Sequence, residues 1–303
     1  MKNINIGELS ASRVSLGCMR MSGLDKKGVD QIMDCALENG INFFDHADIY
    51  GGGKSEELFG EFLKRNPGVR EKIAIQTKCA IHDGQFDFSK EHILRSVDGS
   101  LRRLGVEYVD FLLLHRPDTL MEPQEVAEAF NQLYTSGKVR NFGVSNHNAM
   151  QIELLKTAVE QPLLVNQLQF SVTEAGMVTS GMNVNMKNAD SVMHDGGLLE
   201  YSRIKNMTIQ AWSPFQHGFF GGSFIDNDDF PKLNEALDKI GEKYGISKTG
   251  AAAAWILRHP ANMQLIAGTM TPKRLQEICQ GADVTLSRAE WYEIYRAAGH
   301  SLP

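Results

Sequence analysis

Two short runs, K-I-A-I-Q-T-K at residues 72–78 and Y-V-D-F-L-L-L-H at 108–115, bracket the longer segment S-K-E-H-I-L-R-S-V-D-G-S-L-R-R-L-G at 89–105. The outer runs are apolar and rich in β-branched or aromatic side chains, the mark of buried strands. The middle segment repeats apolar residues at Ile93, Leu94, Val97, Leu101 and Leu104, which share one helix face. Ser89 is suited to cap its start and Gly105 to end it. Strand, helix, strand at this spacing predicts a βα unit and a parallel pair.

The same beat extends in both directions. Further strand candidates are V-S-L-G-C near 16, I-N-F-F-D near 43, V-R-N-F-G-V-S near 142, L-L-V-N-Q near 165, M-T-I-Q-A-W near 210 and M-Q-L-I-A-G near 266. Pro231 opens another helical run, with Leu233, Leu237 and Ile240 on one face and Gly245 as its stop. Eight strands, each followed by a crossover, predict an α/β fold closed as a parallel (β/α)8 TIM barrel rather than an open sheet. No Pro/Ser-rich linker divides residues 1–303, so one barrel domain is expected. The first dozen residues are expected to form an N-terminal β-hairpin plugging the barrel's bottom. The stretch from about Ser171 to Gly197 should be a long loop with a short helix, placed to shape access.

Composition excludes several functions. Hydrophobic residues make up 42% and charged residues 22% of the 303, enough to build a large core. With 31 basic and 37 acidic residues the formal charge is −6, and no basic cluster interleaved with aromatics occurs, which argues against nucleic acid. No apolar run approaches a membrane span and no signal-like segment opens the chain, so a cytoplasmic protein is expected. Cys18, Cys35, Cys79 and Cys279 are too scattered for a zinc site or a disulfide framework and read as buried thiols.

Barrel enzymes carry their chemistry at the C-terminal ends of strands. Here strand two ends in Asp45 with Tyr50 shortly after, strand three in Lys78 and strand four in His115. Strand five ends in Ser145 and Asn146, strand six in Gln167, strand seven in Trp212 and Ser213. Asp45, Tyr50, Lys78 and His115 hold the parts for proton transfer to a carbonyl oxygen. Lys78 is expected to lower the pKa of Tyr50 by favouring the phenolate, Asp45 to keep Lys78 charged, and neutral His115 to hold the substrate oxygen. No side chain supplies a hydride, so a nicotinamide cofactor is implied.

The motifs F-F-D-H-A-D-I-Y-G at 43–51, Q-T-K at 76–78, Y-V-D-F-L-L-L-H-R-P-D at 108–118, G-K-V-R-N-F-G-V-S-N at 137–146 and V-N-Q at 165–167 resemble the aldo-keto reductase family, in its bacterial oxidoreductase subgroup. The resemblance implies NADPH-dependent reduction of a small aldehyde or ketone, with no metal and no Gly-rich dinucleotide motif. It makes Asp45, Tyr50, Lys78 and His115 the catalytic set. It assigns Ser145, Asn146 and Gln167 to the nicotinamide amide, and Trp212 to stacking where the family usually has Tyr. Met19, Ser213, Pro214, Phe215 and His217 would join the cofactor site, with Gly268, Thr269 and Arg274 at the adenosine phosphate. Gly268 and Ile278 depart from the family's usual Lys and Asn there, which leaves NADH as the alternative cofactor.

Other signals read more plainly. G-G-G-K-S at 51–55 lacks the earlier Gly of a phosphate loop, and Ser55 is expected to cap the helix that follows. His46 beside Asp45 and Asp48 lacks metal-ligand spacing and is expected to pack or hydrogen-bond, as are His147 and His194. Met177, Met182, Met186 and Met193 suit a flexible loop lining, and Phe86, Phe88, Phe219 and Phe220 an apolar wall by the mouth. Two rivals to the reductase are a Schiff-base aldolase using Lys78 and a nicotinamide-binding sensor subunit with little turnover.

Overall fold

The computed structural model describes residues 1–302. An antiparallel hairpin, β1 (Asn3–Ile6) and β2 (Leu9–Ser12), leads into β3 (Val14–Gly17) and α1 (Lys26–Glu38). The chain continues through β4 (Phe43–Asp45), α2 (Lys54–Arg65) and β5 (Ala74–Cys79), then a small hairpin of β6 (Ile81–His82) and β7 (Gln85–Phe86). Next come α3 (Lys90–Leu104), β8 (Val109–Leu114), α4 (Pro123–Thr135), β9 (Val139–Ser145), α5 (Ala149–Leu155) and β10 (Leu163–Gln169). After α6 (Gly176–Met182) and α7 (Leu198–Ile204) follow β11 (Thr208–Trp212), α8 (Pro231–Tyr244) and α9 (Lys248–Arg258). Then β12 (Met263–Ala267), α10 (Pro272–Gly281) and α11 (Arg288–Ala297) complete the described elements.

All eight expected strands form. They close a parallel barrel in the order β3-β4-β5-β8-β9-β10-β11-β12, with Leu265 of β12 registered on Val14 of β3. Successive strand residues point to opposite faces. On β4, Phe44 packs outward against the helices while Phe43 and Asp45 face inward. The hairpin end of the interior is apolar: Ile6 and Ala11 from the hairpin meet Phe43, Ala74, Phe111 and Val165. Phe43 and Phe111 lie 5.4 Å apart between ring centroids, and burying each ring contributes about 1.5–3 kcal/mol. The opposite end of the same strands turns polar.

Helix ends follow the local sequence. Ser89 Oγ accepts from His92 N at 3.3 Å at the start of α3, and Gly105 (φ 65°) and Gly245 (φ 67°) end α3 and α8 in the left-handed region that glycine tolerates. Ser55 does not cap α2. Three glycines, Gly51, Gly52 and Gly53, all at positive φ, bring the chain in, Gly53 takes the cap position, and Ser55 Oγ instead accepts from Ser22 N at 3.2 Å. Between β10 and β11 the long connection contains α6 and α7 with irregular chain between them, as the polar, glycine-punctuated sequence suggests. In the outer layer Trp255 and Trp291 stack at 4.8 Å, each indole N–H donating to the other's carbonyl oxygen. Among the described residues, no helix is long and apolar enough to cross a membrane.

Candidate active site

The polar end is organised around one buried ion pair. Lys78 and Asp45, from neighbouring strands and both almost wholly buried, place Nζ 2.8 Å from Oδ1 and 2.9 Å from Oδ2. Lys78 Nζ also donates to His46 O at 2.8 Å and to Tyr50 Oη at 3.2 Å, so its three protons have partners. Tyr50 lies just past β4, in a turn where its N–H donates to Ala47 O at 3.1 Å, and the glycine run follows it. Its ring sits edge-on to His115, with centroids 6.0 Å apart. The structure thus brings together the four side chains read from the strand ends.

Their protonation follows from burial and charge. Burial works against the Lys78 ammonium, but Asp45 and Tyr50 more than offset it and its pKa lies above the ordinary lysine value. His115 is driven well below the usual histidine range by burial, then by the Lys78 and Arg116 cations, so it is neutral at pH 7. Tyr50 corrects the sequence reading. Lys78 does favour the phenolate, but desolvation is the larger effect and Asp45 adds to it, so the Tyr50 pKa is raised. In this geometry Tyr50 is a neutral phenol at pH 7.

Around this centre opens a cavity of about 1180 Å³. Met19, Ser145, Asn146, Gln167, Trp212, Ser213, Pro214 and Phe215 line it, as do Gly268, Thr269 and Arg274 at its far end. His217 does not: its ring packs 5.1 Å from Phe230 and its backbone closes the loop through Gly221 and Gly222. Trp212 is held by its indole N–H on Asn146 Oδ1 at 3.0 Å, while Asn146 Nδ2 donates to Ser145 Oγ at 2.8 Å. Asn146 adopts φ 58°, a region Asn tolerates better than most residues. Ser145 Oγ in turn donates to Gln167 O at 2.9 Å. Gln167 is different, since its Oε1 has no protein donor among the described residues. An aromatic ring face, a free amide oxygen and, at the opposite end, Thr269 and Arg274 at the start of α10 fit an extended nicotinamide dinucleotide. Arg20 Nη1 donates to Gly268 O at 3.0 Å, which brings a cation to the position where the resemblance leads one to expect Lys.

Sequence reading missed two kinds of residue here. Arg116 is half-buried at the mouth, its Cζ 5.8 Å from the Trp212 ring centroid, and no carboxylate among the described residues pairs with it. Gln76 lies inside the barrel on Asp45, Gln210 is bonded in turn to Gln76, and both are hidden among apolar strand residues. Of the expected apolar wall, Phe219 and Phe220 line the cavity, whereas Phe88 is core, stacked on His147, and Phe86 stands on the β6–β7 hairpin outside it. His46 packs edge-on to Phe59 at 4.6 Å with neither ring nitrogen hydrogen-bonded, and burial lowers its pKa to about 3. His82, Asp87 and His92 bring ligand-type atoms within 4.8 Å of one another. Their ring nitrogens already have protein partners, Asp83 and Asp87 for His82, Arg95 and Ser96 for His92, and the two rings stack at 4.3 Å.

A closed parallel barrel with a buried Asp-Lys pair, a phenol and a neutral imidazole at its mouth is the arrangement of one oxidoreductase class. The chain belongs to the aldo/keto reductase family, whose model matches residues 13–298. It is 34% identical over 304 residues to a 6-dehydroglucose reductase of Agrobacterium fabrum, covering 96% of this chain and 95% of that one. It is also 34% identical to the oxidoreductase YdhF of Escherichia coli, covering 88% of this chain and 86% of that one. An aldo/keto reductase of Klebsiella pneumoniae, solved with NADP and acetate, superposes with a TM-score of 0.80 at 21% identity, over 100% of this chain and 96% of that one.

Proposed function

We propose that the chain, acting as one barrel domain over residues 1–303, reduces an aldehyde or ketone to an alcohol with NADPH. The observation that carries this reading is Tyr50 Oη at 3.2 Å from a Lys78 ammonium that is itself locked on Asp45. NADPH, when bound, supplies a hydride to the carbonyl carbon. Tyr50 gives its proton to the carbonyl oxygen as that bond forms, and the Lys78 ammonium stabilises the phenolate left behind until water reprotonates it. Neutral His115 orients the substrate oxygen beside Tyr50. Ser145, Asn146, Gln167 and Trp212 hold the nicotinamide, and Arg20, Thr269 and Arg274 supply hydrogen bonds and charge for a 2′-phosphate, which favours NADPH over NADH. Arg116, with no anionic partner of its own, favours carbonyl compounds that bring hydroxyl or anionic groups to the mouth.

A Schiff-base role for Lys78 fits poorly, because an amine nucleophile must shed its proton and both Asp45 and Tyr50 favour keeping it. The sensor reading differs only in turnover. Tyr50→Phe is expected to lower kcat for aldehyde reduction by about 10²–10⁴-fold while the dissociation constant for NADP⁺ changes little. Turnover at the wild-type rate in that variant would remove Tyr50 as general acid, and tight cofactor binding with no turnover in the wild-type protein would favour the sensor.

A further inference from the structure

Four glutamines meet inside the barrel beneath the ion pair, and the chemistry of Asp45 fixes which way each one points. A carboxylate only accepts hydrogen bonds, so Gln76 and Gln167 must turn their amino groups to Asp45 Oδ1, at 2.6 and 3.1 Å. Each of those amino groups carries a second hydrogen, and both lie on a single atom, Gln210 Oε1, at 2.8 and 3.0 Å. Gln210 therefore faces the opposite way with its own amino group, which donates to Gln76 Oε1 at 3.1 Å and Gln264 Oε1 at 2.8 Å. Gln264 Nε2 ends the series on Ser12 O of the hairpin plug at 2.8 Å. No polar side-chain atom of Gln76, Gln210 or Gln264 is left buried without a partner.

We infer that Gln210 is a positioning residue for cofactor recognition: by accepting the second hydrogen of Gln167 Nε2 it joins Asp45 in holding the Gln167 carbonyl oxygen toward the cavity, so that the site reads the amino group of the nicotinamide carboxamide. The inference rests on the reading of Gln167 as a nicotinamide contact. Both hydrogens of Gln167 Nε2 are committed, one to Asp45 and one to Gln210, and Oε1 is the atom left over. A flipped Gln167 would face two acceptors with a third, so the preference is set by lone pairs and not by shape. Gln210 lies on β11 two residues before Trp212, on the same inward face, which couples the stacking side of the site to its hydrogen-bonding side.

The test compares the affinities of NADP⁺ and its 3-acetylpyridine analogue, in which a methyl group replaces the amide nitrogen, read by quenching of protein fluorescence. The wild-type protein should bind NADP⁺ about tenfold or more tightly than the analogue. In Gln210→Met, where Asp45 still orients Gln167 but one hydrogen of its amino group is left without an acceptor, that ratio should fall by about two- to threefold. Gln264→Met, which removes an amide from the same layer but leaves Gln210 Oε1 on Gln167, should lower the melting temperature and keep the ratio. If Gln210→Met does not fold, Gln210→Glu, which retains an acceptor oxygen at that place, should keep the ratio. An unchanged ratio in Gln210→Met, an equal fall in Gln264→Met, a lost ratio in Gln210→Glu, or no discrimination by the wild-type protein overturns the inference. Failure of the wild-type protein to bind either dinucleotide would instead overturn the reductase reading.

Discussion

At the hairpin end of the barrel, Phe43, Ala74, Phe111 and Val165 fill the interior with side chains that need only volume from their neighbours. Two to four residues further along the same strands, Asp45, Gln76, Lys78 and Gln167 occupy equivalent inward positions and need specific partners. The first region is stabilised by contact area, so its losses should be graded and local. The second holds an ion pair in a dry interior, where removing one partner strands the other. Stability and activity should therefore separate at the hairpin end and move together at the mouth.

The sharpest way to break that contrast is Lys78→Met. Leaving Asp45 buried without its cation should cost about 3–5 kcal/mol in urea unfolding and abolish aldehyde reduction. Asp45→Asn added to it should recover much of the stability and none of the activity. If the single variant is as stable as wild type, the mouth does not depend on the pair. A smaller effect is expected one residue after Asp45, on the opposite face of the strand, at His46. Its folded pKa, about 3, lies below its ordinary 6.5, so its contribution to stability is complete above about pH 6.5 and is lost as the pH falls toward 3. Between pH 7 and pH 5 wild type should lose about 2 kcal/mol more than His46→Leu, and taking the difference removes the opposing contribution of Asp48, whose pKa is raised to about 6. Equal acid losses would mean that His46 finds water or a partner. The smallest change is Phe111→Leu at the hairpin end, which should cost about 1 kcal/mol and leave kcat unaltered. A fall in kcat there would show that packing at the closed end reaches the mouth.

Much of the site was legible because a barrel exposes the last residue of each strand, so a polar side chain closing an apolar run announces itself. Asp45, Lys78, His115 and Gln167 are of this kind. Gln76, Gln210 and Gln264 are not, since an amide in the middle of a strand looks like any inward or outward position until closure brings β5, β11 and β12 around one axis. Serine is a good cap residue in isolation, but the three glycines before Ser55, all at positive φ, start α2 two residues earlier, with Gly53 at the cap. The Tyr50 pKa differs from the sequence expectation for another reason: the charge of Lys78 is written in the sequence, whereas the desolvation that outweighs it exists only after folding. Phe88 is core and not part of the mouth, and hydrophobicity alone does not distinguish a wall from an interior.

The distribution of the three tryptophans gives the molecule a built-in optical reporter. Trp255 and Trp291 are locked face to face in the helical layer, so their emission should track global unfolding. Trp212 stands apart from them on the cavity wall, tethered through its indole nitrogen to Asn146, and its emission should track occupancy. One unlabelled sample thus carries two separable signals, and Trp212→Phe would silence the occupancy signal while leaving the unfolding signal intact.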